Sequence, residues 1–189
     1  MNADEVQAAL REAAPGLSIA NPFLVTVLPG FAPTLGHLAS IMTYARVTTL
    51  QAVYGLSTEQ LDHRLDDLAN SIGMLLEHVA CVEEAYQEAT FGWTFEEAAL
   101  ARRKIGIELG GAAWETLRGH DLAYYRGRLA DVRGRTLAEF AQRDDDWLLE
   151  EIPFLLGQPA NKYFMWFHVA EDEVNHRGQI RLLRKRLPG

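Results

Sequence analysis

Four long stretches of this chain carry apolar residues at alternating intervals of three and four, the period of an α-helix buried on one face. The first runs from about Thr34 to Tyr54, with Leu35, Leu38, Ile41, Met42, Ala45 and Leu50 forming its stripe. The second opens at Asn70 or Ser71 and buries Ile72, Leu75, Leu76, Val79, Val82 and Tyr86. The third, about 121–143, carries Leu122, Tyr125, Leu129, Val132, Leu137 and Phe140. The fourth, about 161–186, turns Phe164, Phe167, Val174, Ile180 and Leu183 inward. No strand-like run exceeds Phe23 to Val27, so the expected fold is all-α: a four-helix bundle with long connections and short extra helices.

The shorter segments fit around that frame. Residues 3–14 read as an amphipathic helix stopped by Pro15-Gly16. Prolines 22, 29 and 33 break regular structure before the first long helix, although Phe23 to Leu28 is apolar enough to pack on the domain. Ser57 with Gln60 three residues later is a capping box for a short helical turn. Thr94 starts an acidic helix that runs into a Gly-rich stretch at 106–111, expected to be connecting or frayed. Pro153 and Pro159 forbid a long helix before the last one. The 189 residues suit a single domain, 1–189, with 1–32 as an N-terminal extension packed on the bundle.

A net charge of −8 argues against a nucleic-acid partner, whose phosphates need neutralising by Lys and Arg. The basic cluster Arg177, Arg181, Arg184, Lys185 and Arg186 is read as complementing the dipole at a helix C-terminus. One cysteine, Cys81, allows no internal disulfide and is read as a small buried hydrophobe. The N-terminus shows no basic region followed by an apolar run, and no stretch is long and apolar enough to span a bilayer. A cytoplasmic protein without a membrane partner is the expectation.

Chemistry concentrates in the last helix. In HVAEDEVNHRGQI, His168, Asp172 and His176 follow one another at intervals of four, along one face. Adjacent members can share an ion, but the two ends are separated by a rise of about 12 Å and cannot. The pair is therefore His168/Asp172 or Asp172/His176. A further ligand must come from another helix, and His78, inside the apolar run MLLEHVACV, needs a partner if buried. Two imidazoles and a carboxylate suit Zn²⁺, Ni²⁺ or Fe²⁺. The plainer alternative is a hydrogen-bonded core His78 with Asp172 paired to an arginine. Glu173-Val174-Asn175-His176 matches half of a di-iron signature, but Leu75 stands where a second copy would need its glutamate. His-Glu-x-x-His, the P-loop, Gly-x-Gly-x-x-Gly and Gly-x-Ser-x-Gly are all missing from the sequence. His37, His63 and His120 are read as surface residues.

Two strings carry a family resemblance: WFHVAEDEVNHRGQIRLLRKRL in the last helix and NSIGMLLEHVACVEEAYQ in the second. Together with Tyr-Ala-Arg in the first helix and QPANKYFMWFH, they resemble the DinB/YfiT-like superfamily of metal-dependent bundles from about Pro33 onward. The resemblance implies one divalent metal ion, zinc or nickel foremost and iron as a further option. Its ligands would be His78, Asp172 and His176, with His168 in reserve. It further implies a low-molecular-weight thiol of the mycothiol or bacillithiol kind, a small-molecule electrophile and an S-transferase reaction in a homodimer. A metal-dependent hydrolase and a non-catalytic metal- or ligand-binding bundle are the alternatives.

Overall fold

The computed structural model describes residues 3–188; Met1, Asn2 and Gly189, the ends of the expected single domain, lie outside it. Its elements are α1 (Ala3–Ala13), α2 (Pro33–Val53), α3 (Thr58–Asp62), α4 (Ile72–Phe91), α5 (Glu97–Glu108), α6 (Gly111–Thr116), α7 (Leu122–Phe140), α8 (Asp145–Leu149), β1 (Glu151–Pro153), β2 (Pro159–Asn161) and α9 (Lys162–Arg184). The four long helices close a ring: α2 packs on α7 and α9, and α4 packs on the same two. The all-α bundle expected from the periodicity is present, and α1 lies across α2 and α7.

Local chemistry starts and stops these helices. Ser71 Oγ accepts the Met74 N–H at the start of α4, and left-handed Gly92 ends it. Asp121 and Asn161 cap α7 and α9 in the same way. The Ser57/Gln60 capping box forms as expected. At α2 the capping residue Ala32 offers no side chain, so Asp145 of α8 accepts the Thr34 and Leu35 N–H groups instead. That partner is 111 residues from Thr34 and could not be seen from local sequence.

Phe23 to Leu28 packs along α2 as expected, with Phe23 against Tyr44 and Ser40 donating to the Leu24 carbonyl, although of these residues only Leu28 is buried. Two expectations need correction. The stretch at 106–111 is ordered: α5 runs through Gly106 to Glu108, and α6 follows from Gly111. Phe164, Phe167 and Val174 face solvent, as does Ile41; on α9 the inward face holds Met165, Trp166, Val169, Ala170, Glu173, Ile180 and Leu183. A glutamate at the centre of the buried stripe explains that error, because apolar periodicity does not register a buried charge. A short antiparallel hairpin, β1 against β2, was also unforeseen, with Glu151 paired to Asn161.

Glu173 belongs to a buried layer of charge. Arg46 of α2, Glu83 of α4, Arg133 of α7 and Glu173 of α9 are all fully buried. Arg46 donates to Glu173 at 2.8 Å and Glu83 at 3.1 Å; Arg133 donates to Glu83 at 2.9 Å and Glu173 at 3.3 Å. Their remaining N–H groups reach the Leu129 and Met42 carbonyls. The layer separates two apolar clusters, one around Leu61, Leu76 and Ile180, the other around Met42, Phe140 and Trp166. Such a network fixes rotation and register, since displacing any one helix strands a buried charge.

Candidate metal centre

With Glu173 locked inward, its neighbour Asp172 is turned toward α4, and His176 stands one turn further along. His78 of α4 meets them. Its Nε2 is 3.8 Å from Asp172 Oδ2, the His176 Nε2 is 3.4 Å from Asp172 Oδ1, and the two imidazole centroids are 4.5 Å apart. His78, Asp172 and His176 each offer one ligand atom, and these atoms lie within 4.8 Å of one another. His168 is not a member of that group: its Nδ1 pairs with Glu171 at 3.0 Å, and its ring stacks on Phe164. Of the two pairs left open by spacing, Asp172/His176 is the one that converges with His78. The arginine pairing for Asp172 does not form among the described residues.

His78 is oriented from outside the cluster. Its Nδ1 lies 2.8 Å from the Gly106 carbonyl oxygen. A carbonyl can only accept, so Nδ1 carries the hydrogen and Nε2 is directed at Asp172 and His176. Gly106 O is free for this because it sits in the last turn of α5, beyond the helix's own ladder. The close approach also requires glycine: a Cβ at 106 would lie 2.5 Å from Cys81 Sγ. Sequence reasoning passed over Gly106 as part of a connecting stretch, and the only hint was a glycine inside an otherwise helical run.

Electrostatics follow from this packing. Burial disfavours ionised Asp172, but the imidazoles of His176 and His78 outweigh it and hold its carboxyl well below the usual carboxylate range. Burial likewise disfavours protonated His78, yet Asp172 and the Gly106 carbonyl overcome it and raise its pKa. Cys81, one turn from His78, is pushed up to about 12, by burial first and the nearby Glu77 next. It is an inert thiol, as expected.

The donors suit a cation. Asp172 Oδ2 and His176 Nδ1 are buried and lack hydrogen-bond partners. Each orphaned atom costs about 1–3 kcal/mol when nothing satisfies it, and Asp172 Oδ2, beside His78 Nε2, is placed to be satisfied by an ion in the cluster. Around an ion, two nitrogens and one carboxylate oxygen would leave a fourth tetrahedral position for water or substrate.

His78 and Asp172 also form the floor of a cavity of about 450 Å³, walled by Val82, Tyr86, Phe154 and Met165. That is within the range of small-molecule sites. A polar cavity of about 530 Å³ between Asp62 and Arg118 touches none of the three donors.

Fold and geometry together define a class: an all-α bundle with a His-Asp-His donor cluster between its second and fourth long helices. The family model described as mycothiol S-transferase matches residues 37–189, and the chain therefore belongs to that family, one of the DinB/YfiT-like group. Among curated proteins no match to the chain was found. No helix among the described residues is long and apolar enough to cross a membrane.

Proposed function

We propose that this protein is a metal-dependent S-transferase that joins a mycothiol-type thiol to a small electrophile, with His78, Asp172 and His176 holding the metal. The observation that carries this is the donor cluster, with Asp172 Oδ2 orphaned, at the edge of a cavity that His78 and Asp172 line. Membership in the mycothiol S-transferase family supports the choice of reaction.

A divalent cation at this position would lower the pKa of a thiol beside it, supplying thiolate at neutral pH. The chain's own residues prepare the site. The Gly106 carbonyl fixes the tautomer of His78. Asp172 stays ionised at any neutral pH and contributes a full negative charge to the donor set. Tyr86, Phe154 and Met165 make the wall beside it apolar. In the net reaction a sulfur–carbon bond forms, the thiol proton passes to solvent, and the leaving group departs with its bonding pair.

The test is turnover of an activated aryl chloride by zinc-loaded, tag-free protein with and without mycothiol. Chloride release that requires the thiol and disappears in His78→Ala supports the proposal. Turnover that is indifferent to thiol would replace it with a hydrolase.

A further inference from the structure

The walls of the cavity say what kind of electrophile it accepts, a point that rests on the S-transferase proposal for the word electrophile alone. On α4, His78, Val82, Ala85, Tyr86 and Ala89 fall on one stripe, so the cavity follows the helix over a rise of about 16 Å. Met165 and His168 face them from α9, Ile107 closes one side from α5, and Phe154 and Leu155 come from the β1–β2 hairpin. Among the described residues no Lys or Arg lines the cavity, and Asp172 is its only carboxylate.

Nearby cations are committed elsewhere. Arg46 and Arg133 are fully buried and held by Glu83 and Glu173. Arg128 and Arg135 are engaged by Glu84, and Arg103 by Glu88. An anion entering the cavity would lose its hydration and meet no compensating Lys or Arg on the wall. An apolar body instead gains contact with Val82, Tyr86, Phe154 and Met165. Leu155 forms part of the wall while remaining 70% exposed, so the mouth itself presents apolar surface to an incoming ligand.

We propose that the cavity selects uncharged, apolar electrophiles and rejects those that carry an anionic group. The selection is set by the wall of the cavity, independently of the atoms that react.

Two unreactive ligands of similar outline, 4-nitrotoluene and 4-nitrobenzenesulfonate, test it by calorimetry on the zinc-loaded full chain. The sulfonate is permanently charged and a poor zinc ligand, so it reports the wall. The toluene should bind about tenfold tighter or more, the expected cost of burying an uncompensated charge. Ala85→Phe should abolish toluene binding with zinc content unchanged. Ala89→Arg, at the exposed mouth where folding is not at risk, should narrow or invert the preference. Equal or tighter sulfonate binding would overturn the proposal, as would an Ala85→Phe protein that folds, holds zinc and binds the toluene normally. Zinc content measured on the same samples keeps the two ideas apart: preference intact without stoichiometric zinc would support the cavity's selectivity and sink the metal proposal alone.

Discussion

Replacing Gly106 with alanine should link the packing of α5 to the centre on α4 in a measurable way. The backbone at 106 is helical, so alanine gains about 1 kcal/mol of helix propensity over glycine. Against this, the new Cβ would stand 2.5 Å from Cys81 Sγ and 3.1 Å from Cys81 Cβ. Overpacking of a filled core costs about 1–3 kcal/mol, so Gly106→Ala should be destabilising by about 1 kcal/mol net. Cys81→Ala removes the nearer atom and leaves only the 3.1 Å contact, which a shift of a few tenths of an ångström relieves. In that background Gly106→Ala should be neutral or stabilising. A double-mutant cycle by urea unfolding should therefore give a coupling of about 1–3 kcal/mol. The same cycle read by zinc titration should show about tenfold weaker binding in Gly106→Ala, where the carbonyl that orients His78 is displaced, and recovery in the double variant. Additive unfolding energies would refute the contact, and unchanged zinc affinity in a destabilised Gly106→Ala would refute its link to His78.

Other consequences follow from the buried charges and from the separation of His168 from the donor cluster. Arg46→Ala leaves Glu83 and Glu173 short of a partner in the core and should cost about 3–5 kcal/mol in unfolding experiments. Burial alone would raise the Glu83 pKa, but Arg133 and Arg46 hold it below the usual carboxylate range. A depressed folded-state pKa contributes stability that is complete above the unfolded value of about 4.3 and is lost as pH falls through the folded value. Acid unfolding should therefore begin below that point, and Glu83→Gln should flatten the dependence. His168→Gln should leave zinc stoichiometry unchanged, since His168 pairs with Glu171 and stands outside the donor cluster.

What could be read from the sequence and what could not divide along physical lines. Helix positions were legible because apolar period and capping residues are local signals, as with Ser57, Ser71 and Asp121. The grouping of Asp172, His176 and His78 was legible because residues four apart on a helix share a face, and because a histidine inside the apolar run MLLEHVACV needs a partner, as the family resemblance also implied. The orientation of α9 was not, since Glu173 occupies the inward stripe through partners on two other helices, Arg46 of α2 and Arg133 of α7. Gly106 and Asp145 were hidden for the same reason. Each acts on a residue far away in the chain, by a carbonyl 28 positions from His78 and a carboxylate 111 positions from Thr34.

We propose that His78, Asp172 and His176 bind one metal ion with a position left open. X-ray absorption spectroscopy on tag-free, zinc-loaded protein tests it most directly. The expected spectrum has two imidazole nitrogens and one carboxylate oxygen at about 2.0–2.2 Å plus one exchangeable light ligand, at one zinc per chain, and is lost in His78→Ala. Substoichiometric zinc that is the same in wild type and His78→Ala, or a closed sphere of four protein ligands, would contradict it.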